Sequence, residues 1–330
     1  MVPSGVLSRA LACLCMLLFA APALAQPVHP GPGDWGDAPE GNVAYPSLGV
    51  TGNFPTLFAG GIGGYVWHGT PNAHFGNSAD LEPDGNGGFN IFPPYDRDEC
   101  YAPYDGDAGL FGPVTYTIDL GLNVVPCDTV NLAIAPIGTA CGTVQPFAGS
   151  VLDLLVENDS GIECVINVLF DWNQDGVWNG QILCPSGDIA YEHAIVNLPV
   201  PINYHGPLSG LGLPPVKIGP HSGYVWARFS IMNRAQAPPQ NWDGSGEFDE
   251  GETEDYLLRV DGGEYAEYGD APEDALAYPN GVVGNFPTCL STTTAGVIQH
   301  GANATSWFGP GVDYEYEGNS GDCSFTAVSY

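Results

Sequence analysis

The residues best placed to do chemistry in this chain are carboxylates. Asp171-Trp-Asn173-Gln-Asp175-Gly176 sets three oxygen-bearing side chains at alternate positions, with glycine sixth. That spacing suits a calcium loop. Alternate side chains converge on one point, the glycine permits a sharp turn, and the seventh residue, Val177, offers its backbone carbonyl. Ca²⁺ takes six to eight hard oxygens at about 2.3–2.6 Å. The loop departs from an EF-hand in two respects: its twelfth position is Ile182, so no glutamate closes it, and the run 165–170 before it reads as a strand. The missing carboxylate must come from elsewhere. The stretch 246–255 holds six acids and no base, so Glu252, Glu254 and Asp255 are the expected donors.

A second acidic stretch contains Asp80-x-Glu82-x-Asp84, then Asp96-x-Asp98-Glu99 and Asp105-Gly-Asp107, with Arg97 as its one base. Like charges packed so densely repel one another without a counterion. Asp80, Glu82, Asp84, Asp96, Asp98, Asp105 and Asp107 are therefore expected calcium ligands as well. Over the whole chain 38 Asp+Glu face 6 Lys+Arg, a formal net charge of −32. So few cations cannot build the basic footprint that nucleic acid needs, nor dock on anionic lipid. The composition is still 44% hydrophobic and 11% aromatic, enough for a packed core and unlike an acidic disordered tail.

Other chemistry is thinly represented. There is no H-E-x-x-H, no G-x-S-x-G and no CxxC pair, and no two carboxylates stand out as an acid/base set, so an enzyme is not expected. Residues 1–25 carry Arg9, an apolar run over 10–21 and Ala23-Leu-Ala25, the pattern of a cleaved secretory signal. No later stretch is long and apolar enough to span a membrane. An exported, extracellular or cell-surface protein is expected.

Removing the signal leaves seven of the nine cysteines, which in an exported chain read as disulfides with one left over. Proximity in sequence suggests Cys127–Cys141 and Cys164–Cys184, leaving Cys100. Cys289 and Cys323 suggest a third pair, because both are missing together from an earlier copy of the segment that holds them. That earlier copy is plain. Gly36-Asp-Ala-Pro-Glu40 recurs as Gly269-Asp-Ala-Pro-Glu273, Ala44-Tyr-Pro46 as Ala277-Tyr-Pro279, and Gly52-Asn-Phe-Pro-Thr56 as Gly284-Asn-Phe-Pro-Thr288. His68 matches His300, Phe75-Gly76 matches Phe308-Gly309, and Asp80-x-Glu82 matches Asp313-x-Glu315. The recurring histidine is expected to make a structural hydrogen bond in a turn.

Such acids must be held by strands and loops, since no segment carries a helical apolar stripe. Short β-rich runs bounded by Gly, Pro, Asn and Asp fall at 114–120, 129–135, 151–156, 164–171, 194–200, 223–232 and 256–260. In the run 223–232, Val225, Ala227, Phe229 and Ile231 alternate with Trp226, Arg228 and Ser230, as a half-buried strand does. The expected fold is all-β: a β-sandwich module with long Gly/Pro/Asp-rich loops, in an incomplete tandem repeat. Its parts are the signal 1–25, an acidic loop-rich segment 26–112, a sandwich 113–263 and a partial second repeat 264–330.

Asp171-Trp-Asn-Gln-Asp-Gly176 followed by Gly251-Glu-Thr-Glu-Asp-Tyr256 resembles the GEVED domain of bacterial secreted and surface proteins, with Thr253 where that motif has Val. Gly36-Asp-Ala-Pro-Glu40 resembles the segment that often precedes it. The resemblance implies an extracellular β-sandwich module and no catalytic role. The resulting expectation is a secreted calcium-binding structural or adhesive protein that assembles head-to-tail, with itself or with other surface proteins, into a fibre or matrix. The rival is a carbohydrate-binding module, a glycan partner being met through Trp67, Trp178, Trp226, Trp242 or Trp307.

Overall fold

The alternation in Gly223–Met232 obliges its two sets of side chains to point to opposite faces of a sheet. The computed structural model describes residues 29–86, 93, 110–112, 115–127, 136–144, 152–236, 242–261, 267–289, 297–300, 306, 308 and 318. It places that strand inside a six-stranded antiparallel sheet, in the order His193–Val200, Cys164–Phe170, Gly223–Met232, Gly251–Val260, Tyr116–Ile118, Val124–Pro126. A second sheet runs Tyr204–Pro207, Asp153–Asn158, Ala73–Phe75, with Leu110–Gly112 also paired to Asp153–Asn158. The fold is all-β, with a 3₁₀ turn at Leu208–Leu211 between described strands. Val225, Ala227, Phe229 and Ile231 face the second sheet and pack with Leu154, Val156 and Phe75 in one core. Each such side chain contributes about 1.5–3 kcal/mol on full burial.

The other face of the large sheet departs from the half-buried expectation. Trp226, Arg228, Ser230 and Met232 are all buried, so Gly223–Met232 is covered on both sides. Residues 34–84 provide the cover. They form the strands Asp34–Trp35, Glu40–Tyr45, Val50–Asn53, Val66–His68 and Ala73–Phe75, and lay Ala44, Tyr45, Phe54 and Val66 against Trp226, Leu257 and Met232 in a second core. Val66–His68 pairs with Asp34–Trp35 and, in parallel, with Gly246–Phe248. The boundary expected near 112 therefore falls between strands that share sheets.

Arg228 fixes how this cover sits. Its Nε donates to Asp255 Oδ1 at 2.8 Å and its Nη2 to Oδ2, across one register pair of the sheet. Its Nη1 donates to the carbonyls of Pro55 and Gly244. The guanidinium lies over the Trp178 ring, 4.5 Å from its centroid. Asp255 Oδ2 also accepts the backbone amides of Asp37 and Ala38, both at 2.8 Å. Two recurring motifs, Gly36–Glu40 and Gly52–Thr56, thus converge on one buried ion pair. A Cβ at Gly36 would stand 2.1 Å from Arg228 Nη2, which is why that position has no side chain.

Glu40 performs a similar task within the cover. One carboxylate oxygen accepts the amides of Thr56 and Leu57, the other those of Ile62 and Gly63. The second copy repeats this local chemistry. Glu273 accepts the amides of Thr288 and Cys289, Thr288 Oγ1 donates to the Ala271 carbonyl as Thr56 does to Ala38, and Glu273 pairs with Asn285 as Glu40 pairs with Asn53. Gln299–His300 pairs with Glu267–Tyr268 as Val66–His68 pairs with Asp34–Trp35.

Two disulfide expectations fail. Cys141 is bonded to Cys184, with 5.7 Å between their Cα atoms, and Cys164 is a buried free thiol. Cys164 begins the Cys164–Phe170 strand and turns into the sandwich core beside Ser160, so its sequence neighbour Cys184 lies out of reach. The loop carrying Cys141 instead crosses toward Gly219 and the hairpin that holds Cys184. Cys127 and Cys289 are each disulfide-bonded; Cys100 and Cys323 lie outside the described residues, as do the signal segment 1–25 and the expected strand at 129–135.

Replacing Asp255 with alanine strands a buried guanidinium, and should lower unfolding free energy by about 3–5 kcal/mol, read from urea denaturation. Joint replacement of Arg228 by Met and Asp255 by Leu should cost less, because no charge is left unpaired. Proteolytic mapping of the oxidised protein should recover a Cys141–Cys184 peptide, with Cys164 alkylated only after unfolding.

Candidate functional site

The Asp171–Val177 loop leaves the end of the Cys164–Phe170 strand and is pinned on all sides. The Asp171 amide donates to the Trp226 carbonyl, Trp172 stacks on Phe170 and donates Nε1–H to the Tyr191 carbonyl, and Gln174 donates to the Tyr224 carbonyl. Gly176 has φ +84°, and a Cβ there would approach the Thr51 carbonyl to 2.5 Å. Its own carbonyl accepts the Asn53 amide. The loop thus abuts the Glu40–Tyr45/Val50–Asn53 hairpin.

Inside the loop the acids bend the chain around themselves. Asp171 Oδ1 accepts the Asp175 amide and Oδ2 accepts the Gly176 amide, while Asn173 Oδ1 also accepts the Asp175 amide and Asp175 Oδ1 accepts that of Val177. Tyr45 donates its hydroxyl to Asp171 Oδ2 at 2.9 Å and accepts the Trp226 amide, so the covering segment reaches the loop directly. Asp171 is fully buried. Burial first, and then the charge of Asp175, push its carboxyl up to about 7.

A further carboxylate beside the loop is Glu192, which the sequence reading did not single out. It sits between the Ile189–Tyr191 and His193–Val200 strands, with its amide and carbonyl bonded to Gly180 and Phe170. Its side chain is fully buried, and neither oxygen has a hydrogen-bond partner. The backbone amides of Asn173 and Gly180 lie near it without meeting hydrogen-bond geometry. A Cβ at Gly180 would come within 2.7 Å of its Oε2, so glycine there lets the carboxylate in. Burial, then the charges of Asp171 and Asp175, push Glu192 up to about 8. The buried Asp171 and Glu192 lie near the exposed Asp175 with no cation beside them among the described residues, and a charge on the unpartnered Glu192 would be costly. The donors are all hard oxygens: Asp171, Asn173, Asp175, Glu192 and the Val177 carbonyl. That set fits Ca²⁺. The three carboxylates do not crowd to within 4.8 Å of one another, as Glu157, Asp159 and His205 do.

The other expected ligands are used differently. Gly251–Val260 begins five residues ahead of the expected strand at 256, which carries Glu252, Glu254 and Asp255 into the sheet, where all three are buried. Asp255 is engaged by Arg228, and Glu252 accepts the Phe75 amide. These residues do not close the Asp171 loop. They lie with Asp34, whose Oδ2 accepts the Thr253 amide and whose carboxyl is raised well above its ordinary value by burial and by Glu252. Asp84 is buried and caps a turn, accepting the amides of Phe58, Ala59 and Gly85. Asp80 is exposed and bonds its neighbour Leu81; Glu82 uses its backbone to bridge Gly33. No strand forms there, so the alternation of the three acids does not put them on one side. Asp96, Asp98, Asp105 and Asp107 lie outside the described residues.

His68 is a buried strand residue and not part of a turn. Its Nε2 meets Thr253 Oγ1 at 2.9 Å, and burial holds the ring down to about 3, so it is neutral. Of the tryptophans proposed for sugar binding, Trp178, Trp226 and Trp242 are buried and Trp67 is half-buried; Trp307 lies outside the described residues. Comparison with family models, with curated proteins and with solved structures gives no match for this chain.

The pH behaviour follows from the two raised carboxyls. In metal-free protein they hold protons more tightly folded than unfolded, so their contribution is full below about pH 4 and is lost as pH rises through about 7 and 8. Melting in chelator should therefore fall between pH 5 and 8. Calcium should restore it, more at pH 8 than at pH 6, with proton release on binding. At a hundredfold excess over Kd the gain should be roughly 5–10 °C. Glu192→Gln should abolish most of the calcium-dependent gain while raising metal-free stability at pH 8.

Proposed function

We propose that this chain is a secreted, calcium-stabilised structural module that joins head-to-tail with others of its kind in an extracellular fibre or matrix. One observation carries the reading. Residues buried by the sandwich in the first copy of the repeat are exposed in the second. Tyr45 is 3% exposed and its counterpart Tyr278 is 54%; Phe54 is fully buried and Phe286 is 38% exposed. Leu276 and Val283 also lie open in the same hairpin, where the first copy has the half-buried Val43 and the exposed Thr51.

The second copy has the internal bonds of the first, through Glu273 and Thr288, and so keeps its shape. Its counterpart in this chain sits on the Arg228–Asp255 face of a sandwich. A second sandwich of the same kind, presenting the same ion pair to the amides of Asp270 and Ala271, is the occupant that its chemistry fits. In a head-to-tail assembly the second copy of one molecule takes the place of the first copy on the next. Exposed apolar patches of this sort mark association sites.

Calcium supports this role because the Asp171 loop is clamped by Tyr45, the residue whose counterpart is Tyr278. Neutralising Asp171, Asp175 and Glu192 therefore firms the surface on which a repeat docks. The signal-like segment 1–25 and the resemblance of the Asp171–Gly176 and Gly251–Tyr256 motifs to the GEVED domain favour an exported setting. Burial of Trp178, Trp226 and Trp242 leaves the glycan reading only the half-buried Trp67 of its tryptophans among the described residues.

Sedimentation velocity of the mature chain in calcium is the test. Association rising with protein concentration is expected, with a return to monomer in a Tyr278→Asp/Phe286→Asp variant of unchanged melting temperature. A wild-type chain that stays monomeric over the whole range would overturn the assembly reading and leave calcium binding to be judged by its own titration.

A further inference from the structure

A second cluster of ligand-type side chains lies on the outer sheet, away from the Asp171 loop. In that sheet Glu157 stands directly opposite His205 on one neighbouring strand and His74 on the other. The register therefore lines up His74, Glu157 and His205 in one row across three strands, where directly opposed Cβ atoms are about 4.5–5.5 Å apart. Asp159 follows two residues after Glu157 and returns to the same side. His74 Nε2 is 3.8 Å from Glu157 Oε2, His205 Nδ1 is 3.6 Å from the same oxygen, and His205 Nε2 is 3.1 Å from Asp159 Oδ1. One ligand atom each from Glu157, Asp159 and His205 falls within a mutual 4.8 Å.

We propose that His74, Glu157, Asp159 and His205 form a binding site for a borderline transition-metal cation, Zn²⁺ in the first instance. Ligand atoms about 2.0–2.2 Å from a tetrahedral Zn²⁺ stand roughly 3.3–3.6 Å from one another; His205 meets Glu157 through Nδ1 and Asp159 through Nε2, so ligation through one nitrogen requires one carboxylate to turn toward it. Two imidazoles separate this site from the all-oxygen Asp171 loop, because imidazole suits Zn²⁺ and its neighbours and not Ca²⁺. His74 Nδ1 lies 3.3 Å from the Phe75 carbonyl, and a proton held there would leave Nε2, on the Glu157 side, to ligate the ion.

The site has a structural consequence. His74 lies on Ala73–Phe75, the strand by which the first copy of the repeat joins the second sheet, so a bound ion adds a clip between that strand and its neighbours Asp153–Asn158 and Tyr204–Pro207. Trp307 stands where the second copy would need this histidine, so the clip is confined to the first copy. A first copy held by zinc resists displacement by the second copy of another molecule.

The test is calorimetric titration of the mature chain with Zn²⁺ in a large excess of Ca²⁺, which occupies all-oxygen sites. One Zn²⁺ per chain is expected, weakened more than about tenfold by His205→Gln and lost in His74→Gln/His205→Gln. X-ray absorption at the zinc edge should report two nitrogen ligands. His205 is half-exposed, so the single variant keeps its fold, and an unchanged urea midpoint without metal will verify this. Absence of zinc binding under these conditions, or zinc binding that the histidine variants leave unchanged, would overturn the proposal.

Discussion

The buried pair Arg228–Asp255 is the constraint on which the rest of the structure depends. A guanidinium and a carboxylate removed from water are tolerated only when nearly every donor and acceptor is satisfied. Satisfying them here takes the carbonyls of Pro55 and Gly244 and the amides of Asp37 and Ala38. Those groups come from segments far apart in the chain. The ion pair thereby dictates that residues 34–84 lie across the large sheet, and that lining buries Trp226, Met232 and Leu257 under Tyr45 and Phe54. Remove the pair and the second core loses what aligns it.

The acid excess divides into two uses under that constraint. Glu40, Asp84, Asp255 and Glu273 fold their carboxylates onto backbone amides, so each organises a turn or a strand edge and is solvated by the chain itself. Glu192 receives no such bonds although it is equally buried, and it lies beside Asp171 and Asp175. Asp171 and Asp175 do bond backbone amides within their loop, so it is the unbonded Glu192 beside them, more than the number of acids, that marks the cluster as a candidate site. A cation at the loop would also act on Tyr45, which joins Asp171 to the covering segment.

The repeat, the loop and the outer histidine row therefore address one mechanical question: how firmly a repeat segment is held on a sandwich. The first copy is held by an ion pair, a second core and Tyr45. The second copy has the same internal bonds and an open face. Metal at the Asp171 loop would strengthen the receiving surface, whereas metal at the histidine row would lock the segment already seated.

Much of this was legible in the sequence. Strand positions along 164–171 and 194–200 follow from short β-rich runs bounded by turn residues, that along 223–232 from period-two alternation, and the loop Asp171–Val177 from ligand spacing, because all are local patterns. The exact pentapeptide repeat likewise marked Glu40 and Glu273 as a pair before their bonds were known. Tertiary structure alone decided that both faces of Gly223–Met232 are buried, that Cys141 pairs with Cys184, and that Glu192, in place of Glu252, Glu254 or Asp255, lies beside the loop. Each depends on which segments the chain brings together from a distance. A carboxylate reads the same in sequence whether it meets a guanidinium, a row of amides or only other carboxylates; the partner fixes its role, and the fold chooses the partner.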